Sequence, residues 1–399
     1  METVIQYDVA IIGAGPVGGA LACALAAGGK RVALVDKAAL PPMEHPDFDG
    51  RAYAIAAGCK RLLDETGLWD ALPFTPCPIL NIKVTDGKPG RPPSPLSLHF
   101  DHTQVGDEPF GWIIEARALR IAINEKLHSN PNITLFAPAE AQVTRNDGGV
   151  TVNIKGGASF SAQLVVAADG RNSQIRAQAG IPVTRLPYHQ SGVVCAIAHE
   201  KPHHGVALEH FLPGGPFAQL PMSASVAHPN MSAIVFTDNT EIANRLHTLD
   251  ADRFTKEVAR RLGPQLGRIQ LIGKRWTYPL SAMYAARYTA TRLALVGDAA
   301  HGVHPIAGQG LNLGLRDVQA LADILNNPAV TDLGDAGLLA AYQAARRPAN
   351  LTMLAATDVL DRLFSTNNPA IRLARDLGLA AVERMPRLKA RFMRAAMGS

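Results

Sequence analysis

Hydrophobic and polar positions divide the first part of the chain into a strand, a turn, a helix and a second strand. Residues Val9 to Gly29 carry no charge, and several glycines interrupt this apolar run. A short apolar run, then glycines, then a longer apolar run predicts a strand, a turn and a helix. A further run with strand character extends from Arg31 to Val35 and ends at Asp36.

A similar order of apolar run, turn and helix returns late in the chain. Residues Leu293 to Val296 predict a short buried strand, Gly297 and Asp298 end it, and a helix begins near Gln309. The apolar residues that follow recur at spacings of four, three, four and three, namely Leu311, Leu315, Val318, Ala322 and Leu325. This spacing places them on one face of the helix, which predicts burial of that face.

The middle of the chain predicts β-sheet. Residues 133 to 170 contain short apolar stretches joined by glycine turns, and this meander ends in a buried strand from Leu164 to Ala168. Alternating strands recur from Ile181 to Leu280. Seven prolines crowd between Pro73 and Pro95, which we interpret as an excursion away from the first domain.

Length and composition narrow the class of protein. The 399 residues suit two domains, and a 47% hydrophobic share with 18% charged residues is typical of a globular enzyme. The net charge of +5 is modest, and no Lys or Arg run has interleaved aromatics, so we expect no nucleic-acid binding. The four cysteines have no metal-ligand spacing, which predicts reduced thiols in a cytosolic setting and no metal site.

The uncharged run from Val9 to Gly29 has a rival interpretation as a signal peptide or a membrane span. The residues before it include Glu2 and Asp8 but no Lys or Arg, glycine interrupts it repeatedly, and another strand follows at once. We therefore expect part of a folded domain there and not a targeting segment.

Three glycines in the first turn carry the chemistry of a dinucleotide site. Gly13 allows the tight turn, Gly15 lets the backbone approach a pyrophosphate, and Gly18 lets helix and strand pack closely. The pyrophosphate would sit on the helix N-terminus, where free amides favour negative charge. Asp36 follows Gly18 by 18 residues, a position from which a carboxylate can bond the adenosine ribose. This motif alone does not choose between FAD and NAD.

Two further turns follow predicted buried strands. Asp169 and Gly170 follow one strand, and Gly297 and Asp298 follow the other. An ordinary strand-ending turn would explain Asp169 and Gly170 by themselves, but open α/β sheets bind ligands where their strands end, so three such turns predict one shared ligand. A carboxylate, a glycine-rich turn and the free amides of the helix near Gln309 suit the flavin end of FAD.

The longest motif extends from Val296 to Asp317 and reads VGDAAHGVHPIAGQGLNLGLRD. With the two earlier turns, it resembles the flavin-dependent aromatic monooxygenases that share the p-hydroxybenzoate hydroxylase fold. The stretch from His304 to Gly314 is similar to the signature of the UbiH-type hydroxylases of ubiquinone biosynthesis. The sequence RLFS from Arg362 to Ser365 and the terminal run from Ala396 to Gly398 support this narrower resemblance.

The resemblance implies an α/β fold, with a Rossmann-like FAD-binding domain, a β-sheet substrate domain and a C-terminal helical tail. The FAD-binding domain would be discontinuous, from residues 1–72, 105–180 and 281–350. The substrate domain would come from residues 73–104 and 181–280, and the tail from residues 351–399.

The resemblance also assigns roles to residues at matching positions. The ADP half of FAD would be held by Gly13, Gly15, Gly18 and Asp36, with a backbone contact from Val143 to adenine. The ribityl chain and phosphates would be contacted by Arg51, Arg117 and Asp298, the last of which follows Gly297. The residue shared between FAD support and NAD(P)H engagement would be Asp169. The isoalloxazine edge would be lined by Gly308, Gln309, Gly310, Leu311 and Asn312.

The implied activity is hydroxylation of the aromatic ring of a polyprenylphenol intermediate in ubiquinone biosynthesis. NAD(P)H or a protein reductant would reduce FAD, and O2 would then give a flavin hydroperoxide that passes oxygen to the ring. Amides of the helix near Gln309 would stabilise the anionic edge of reduced flavin. His304 and Pro305 would line the active site, where His304 could equally be a packing residue, and no dedicated base is evident.

Other functions stay open from the sequence. The same chemistry could act on a soluble aromatic compound, or the chain could be a non-catalytic, FAD-holding subunit of a quinone-biosynthesis complex. Flavin halogenases and reductases share the early motifs as well.

The end of the chain is basic. From Arg384 to Ser399 there are five basic residues and no acidic one, with Met385, Leu388 and Phe392 between them. This pattern suits contact with an anionic membrane, whereas a solvated helix is the simpler interpretation. We expect a cytoplasmic protein, with peripheral contact to the inner membrane, membership of a quinone-biosynthesis complex and oligomerisation left open.

Overall fold

Two large β-sheets organise the computed structural model, which describes residues 5–40, 47–303, 308–364, 375, 378 and 381–398. In chain order the strands are β1 (Ile5–Ile12), β2 (Val32–Val35), β3 (Ala52–Ala56), β4 (Cys77–Ile79), β5 (Asn81–Asp86), β6 (Leu98–Asp101), β7 (Gly111–Glu115), β8 (Ile133–Phe136), β9 (Ala141–Asn146), β10 (Gly149–Ile154), β11 (Ser159–Ala167), β12 (Val183–His199), β13 (Val206–Leu212), β14 (Gly215–Met222), β15 (Met231–Asn239), β16 (Ile269–Ala285), β17 (Thr289–Ala290), β18 (Leu293–Leu295) and β19 (His301–Gly302). The α-helices are α1 (Pro16–Ala27), α2 (Ala57–Glu65), α3 (Ala116–Ser129), α4 (Gln174–Gln178), α5 (Thr240–Thr248), α6 (Ala251–Leu262), α7 (Gln309–Leu325), α8 (Ala336–Phe364) and α9 (Pro386–Met397).

The first sheet has the order β17-β18-β11-β1-β2-β8, and its inner strands are parallel. Both faces of these strands are covered, because Val9, Ala10 and Ile11 are all fully buried although successive side chains point to opposite faces. The predicted strand, turn, helix and strand are confirmed as β1, α1 and β2. The predicted meander is confirmed for β9, β10 and the first half of β11, whereas β8 pairs parallel with β2.

The second sheet has the order β19-β16-β12-β15-β14-β13-β5-β6. Helices α5 and α6 cover one face, where Phe254 of α6 packs with Phe217 and Phe236. The prediction of a sheet from Ile181 to Leu280 is confirmed. The proline-rich excursion leads through β4 into β5, and β5 pairs with β13 of this second sheet. The exact domain boundaries stay a prediction.

A third, three-stranded sheet has the order β3-β7-β4. Its residues contribute to both large cores, since Ile55 packs in the core of the first sheet and Ile113 packs against the inner face of the second. The small sheet therefore links the two large ones.

Helix α7 begins at Gln309, as the sequence predicts. Leu315, Val318, Ala322 and Leu325 are buried and Leu311 is half-buried, so burial of the predicted face is confirmed. Residues outside that stripe, such as Leu313 and Leu321, are buried as well, because α1 packs on one side of α7 and α8 on another. A helix buried on several sides is fixed in position, and its N-terminus is fixed with it.

Within the described residues, no helix combines the length and the hydrophobicity that a membrane crossing requires. The uncharged run near the start of the chain forms β1 and the 12-residue α1, both of which pack in the core of the first sheet. The four cysteines are buried and free, consistent with the prediction of reduced thiols.

Candidate functional site

The three glycine-containing turns meet at one edge of the first sheet. Strands β1, β11 and β18 are parallel neighbours, so their carboxyl ends share that edge. A Cβ atom built on Gly13 would lie 2.4 Å from the carbonyl oxygen of Ala168, and one built on Gly297 would lie 3.2 Å from the side chain of Val17. The first turn therefore contacts both of the others, as one shared ligand requires.

The first turn has the shape of a pyrophosphate cradle. Gly13 has a φ of +105°, and a Cβ on Gly18 would lie 1.9 Å from the carbonyl oxygen of Gly13, so both positions need glycine. Gly15 differs, because a Cβ there would meet no atom of the described part of the chain within 4 Å. Helix α1 begins directly after it with Pro16 and has no acidic residue in its first turn. The free amides of α1 therefore face open space in which an anion fits.

Asp36 is held at the end of β2 by backbone amides. Its Oδ2 accepts a hydrogen bond from Ala14 N at 2.6 Å, and its Oδ1 accepts one from Ala38 N at 2.7 Å. A carboxylate has about four acceptor positions. Asp36 can therefore still accept hydroxyl groups from a ribose.

A cleft of about 300 Å³ extends from this turn. It is lined by Ala14, Gly15, Pro16, Asp36, Ala38, Leu40, Asp47, Asp49, Arg51, Tyr53, Ala116, Arg117, Arg120, Ile123 and Asn124. The cleft thus brings together four of the predicted FAD contacts: Gly15, Asp36, Arg51 and Arg117. Val143 is half-buried in β9, where it pairs with Val152, and its predicted contact with adenine stays a prediction.

The two predicted arginines are oriented by carboxylates and aromatic rings. Arg51 Nη2 lies 2.6 Å from Asp49 Oδ2, and its guanidinium stacks 4.7 Å from the ring centroid of Trp276. The hydrogen bond with Asp49 raises the pKa of Arg51. Arg117 Nε lies 2.6 Å from Glu115 Oε2, and its guanidinium lies 4.5 Å from the ring of Phe74. Both cations are therefore held at the cleft, where they can contact a phosphate.

Two arginines without an assigned role in the sequence connect the second and third turns. Arg171 Nε lies 3.2 Å from Asp298 Oδ2. Arg176 is buried, which lowers its pKa, and it donates hydrogen bonds to the carbonyl oxygens of Ala299 at 2.7 Å and Arg171 at 2.9 Å. Both arginines lie a few residues after Asp169 in the sequence. Their position after a predicted ligand-binding turn is the feature of the sequence that could have indicated a role for them.

Asp169 itself has a structural role in the second turn. Its Oδ2 accepts a hydrogen bond from Gln174 N at 2.8 Å, at the start of α4. Its Oδ1 is buried and has no hydrogen-bond partner within the described part of the chain. Asp169 lies against the first turn, since its backbone nitrogen is 2.9 Å from a Cβ built on Gly13. A buried acceptor without a partner at that place is a point at which a ligand donor can bind.

A buried polar network supports the third turn from behind. Asp317 of α7 is fully buried, and its Oδ2 accepts a hydrogen bond from Gly297 N at 3.0 Å and lies 2.5 Å from His301 Nε2. Its Oδ1 accepts hydrogen bonds from Arg346 Nε at 2.8 Å and Asn350 Nδ2 at 3.0 Å. Burial alone would raise the pKa of Asp317, but His301 and Arg346 outweigh burial and the pKa lies below its ordinary value.

The N-terminus of α7 is open toward the site. Gly308 caps the helix with a φ of +62°, and the first turn contains no acidic residue. Among the described residues, no atom lies within 4 Å of a Cβ built on Gly310. The amides that begin at Gln309 can therefore be approached by the electron-rich edge of a flavin. The residues present thus fit FAD at both ends.

The side chain of Asn312 connects α7 to the small sheet. It is buried, its Oδ1 accepts a hydrogen bond from Ala56 N at 2.8 Å, and its Nδ2 donates one to the carbonyl oxygen of Ala54 at 2.8 Å. The side chain of Asn312 thereby holds β3, and its predicted place beside the flavin stays a prediction. His304 and Pro305 lie outside the described residues, so their predicted place in the active site stays a prediction.

A second depression, of about 560 Å³, lies away from this site. It includes Gln6 near the start of β1 and therefore lies at the amino ends of the parallel strands. Arg292, which lines this depression, forms a bidentate ion pair with Asp332. Ligands of open α/β sheets bind at the carboxyl ends, which favours the cleft described above.

Comparison with known proteins agrees with this geometry. A family model described as the FAD binding domain matches residues 6–357. The chain is 47% identical over 395 residues to the ubiquinone hydroxylase UbiL of Rhodospirillum rubrum, covering 98% of this chain and 90% of that protein. It is 34% identical over 400 residues to the 3-demethoxyubiquinol 3-hydroxylase of Escherichia coli, covering 98% of both chains.

A solved structure shows the same fold. The probable FAD-dependent monooxygenase PqsL of Pseudomonas aeruginosa superimposes with a TM-score of 0.74 at 23% identity, covering 94% of this chain and all of that chain. The predicted fold class is thus confirmed.

Proposed function

Because the chain belongs to the FAD-dependent hydroxylases of ubiquinone biosynthesis, we propose that it hydroxylates the aromatic ring of a polyprenylphenol intermediate of that pathway. The observation that carries the proposal is the meeting of the three turns with the first half of α7, seen from the close approaches at Gly13, Gly297 and Gly314. This arrangement offers one continuous site for a dinucleotide that ends in a flavin.

FAD, when bound, supplies the redox chemistry that activates O2 for transfer to the ring. The residues of this chain would bind and orient it. Gly15 and the start of α1 would take the pyrophosphate, and Asp36 the adenosine ribose. The α7 amides that begin at Gln309 would hold the anionic edge of the reduced isoalloxazine ring. The second sheet would exclude water from the site.

We propose NAD(P)H as the electron donor. The structure describes one dinucleotide cleft at the carboxyl edge of the first sheet, and FAD would occupy it. NAD(P)H would then bind only transiently, near the second turn at Asp169. A protein reductant is the alternative, and oxidation of NADH or NADPH by the purified enzyme separates the two.

Deletion of the gene in its host tests the proposed function. We expect the deletion strain to accumulate a prenylphenol that lacks one oxygen substituent of the mature quinone, and a plasmid copy of the gene to restore the quinone. An unchanged quinone pool, with loss of growth on a soluble aromatic compound, would contradict the proposal. An accessory subunit without turnover would show no substrate-stimulated NAD(P)H oxidation or O2 uptake.

We further propose peripheral membrane contact through helix α9. This helix packs on the body through residues spaced four apart, Lys389, Met393 and Met397. Its outer face presents Arg387, Arg391 and Phe392, a basic and aromatic combination that suits an anionic membrane surface. Lys389 is buried and pairs with Glu383 at 2.7 Å, so it contributes to docking of the helix and not to the outer charge.

Vesicle sedimentation tests this contact. We expect the wild-type protein to sediment with vesicles that contain anionic lipid, and R387Q/R391Q to stay in solution. The double variant R245Q/R268Q removes two exposed arginines from the second-sheet region and serves as the matched control. Equal binding by all three proteins would exclude α9 as the contact. Association with a quinone-biosynthesis complex is likewise a proposal, which copurification from the host tests.

A further inference from the structure

Clusters of packed residues cover the inner face of the second sheet near both ends of β12. At one place Ala196 of β12 and Ala233 of β15 pack with Ile113 of the small sheet. At the other, Tyr188 of β12 packs with Leu313 of α7. The part of the inner face between these two clusters is not covered by either of them.

One row of paired residues crosses this intermediate part. In register from β5 to β16 it consists of Val84, Glu209, Ala218, Val235, Val194 and Trp276. Every member of the row is half-buried, whereas Ala207, Ala233 and Ala196 in the next row along the strands are fully buried. Partial exposure in the middle of a sheet indicates a groove across its inner face. From β13 to β16 the row crosses four interstrand spacings, about 19 Å.

The groove leads to the candidate FAD cleft. At one end of the row, Trp276 Nε1 donates a hydrogen bond to the carbonyl oxygen of Asp49 at 2.8 Å. The guanidinium of Arg51 stacks on the same indole ring. Asp49 and Arg51 both line the cleft, so the groove and the cleft are adjacent.

Glu209 is the charged member of this row, and it has no hydrogen bond or ion pair with any described residue. Burial raises the pKa of its carboxyl to about 7, without a neighbouring charge to offset it. Three ion pairs of described residues lie on elements packed against this face. These pairs are Asp86 with Arg375, Glu383 with Lys389, and Asp49 with Arg51.

An unpaired carboxyl in a sheet interior destabilises the fold and therefore calls for a functional reason. The other groove residues near it, such as Val84, Ala218 and Val235, are apolar. Such walls suit an aromatic ring and the start of an isoprenoid chain, and a single carboxyl suits one hydroxyl group on that ring.

We propose that this groove holds the phenolic ring of the substrate and that Glu209 accepts the hydrogen bond and then the proton of the ring hydroxyl. The inference rests on the function proposed above and names a base for it. In this step the O–H bond of the ring hydroxyl breaks and a new O–H bond forms on the carboxylate. The electron pair stays on the ring oxygen and makes the ring carbons more nucleophilic, so no group is oxidised or reduced.

A single-turnover comparison of E209Q with the wild type tests the proposal. The FAD-loaded enzyme is reduced chemically and mixed with O2 and a farnesylated phenol, and hydroxylated product is measured from about pH 5.5 to 9. We expect the wild-type rate to rise with pH around neutrality, and E209Q to be roughly 10²-fold slower with a flat profile. FAD content should be unchanged in E209Q, because Glu209 does not line the cofactor cleft.

The matched control is E241Q, which removes an exposed carboxylate on α5 and should retain the rate and the pH profile of the wild type. Retention of both by E209Q would overturn the assignment of Glu209 and leave the proposed function in place. Failure of the wild-type enzyme to form product from any prenylphenol would overturn the proposed function, and the Glu209 inference with it.

Discussion

The carboxylate of Asp317 accepts a hydrogen bond from the backbone amide of Gly297 at 3.0 Å. One buried side chain of α7 thereby fixes the turn at the end of β18. Since α7 also presents its N-terminus to the site, the position of the turn and the direction of the helix amides depend on the same residue. Loss of this contact should therefore affect cofactor binding as well as stability.

We expect D317N to lower the free energy of unfolding by about 3 kcal/mol or more, because it removes the fully buried charge that pairs with the half-buried Arg346. The same variant should retain less FAD after purification. Urea denaturation and the ratio of flavin to protein absorbance measure the two effects. D323N, an exposed position on the same helix, should change stability by less than about 0.5 kcal/mol. Wild-type stability in D317N would contradict this role for Asp317.

The glycines of the first turn should separate folding from cofactor binding. G15A should fold with the stability of the FAD-free wild type, because Gly15 has a φ of −63° and a Cβ there meets no atom of a described residue within 4 Å. Its FAD affinity should fall about tenfold or more, since the added methyl occupies the pyrophosphate space. G13A should fail in both respects because its Cβ would clash with Ala168. Titration calorimetry of the FAD-free proteins gives the affinities.

The control for G15A is G106A, where the added Cβ also meets no atom of the described residues within 4 Å. Gly106 is exposed and does not line the cleft. It should bind FAD as the wild type does. If G15A bound FAD equally well, the pyrophosphate would have to lie elsewhere.

Removing the Asn312 side chain, which links α7 to β3, should lower the free energy of unfolding. We expect N312A to lose about 2 to 4 kcal/mol, because it leaves the buried amide of Ala56 and the carbonyl of Ala54 without partners. Thermal unfolding monitored by circular dichroism measures the loss. Q319A, on a half-exposed position of the same helix, is the comparison. Equal melting temperatures for N312A and Q319A would show that the link contributes little.

Glu209 should make the stability of the protein depend on pH. Its pKa is about 7 in the folded chain against an ordinary value of 4.5, so the folded state binds the proton more tightly than the unfolded state. The stability that this group contributes is present below about pH 4.5 and is lost as pH rises through 7. E209Q should therefore be about as stable as the wild type near pH 4.5 and more stable above pH 7, by roughly 2 kcal/mol after allowance for water at the half-buried carboxyl. Melting curves in matched buffers at both pH values measure this, and a pH-independent difference would contradict it.

How much the sequence predicts depends on the range of the interactions. The turn at Gly13, Gly15 and Gly18 is a local pattern in which each glycine is required for a different steric reason. The sequence therefore predicts its position correctly. The arginine pairs were not predicted, because Arg171 and Asp298 are 127 residues apart and only the fold brings them together. The same holds for Asp317 and Arg346, which belong to different helices.

Glu209 shows a second limit. The residues next to a glutamate in an apolar strand do not show whether its side chain is solvated or lies in a groove of the sheet. Only the register of β13 with β14 and β5 places Glu209 beside Ala218 and Val84. Likewise, the spacing in α7 predicted one buried face, and the burial of Leu313 depends on the distant Leu354 of α8.

The central claim is that this chain uses FAD to place one oxygen atom on a prenylphenol ring. The most direct test supplies the purified, FAD-loaded protein with NAD(P)H, a farnesylated phenol and isotopically heavy O2, and analyses the product by mass spectrometry. The account predicts a product that carries one heavy oxygen atom on the ring, formed in step with NAD(P)H consumption. A protein that holds FAD and consumes O2 but leaves the phenol unchanged and releases only hydrogen peroxide would contradict it.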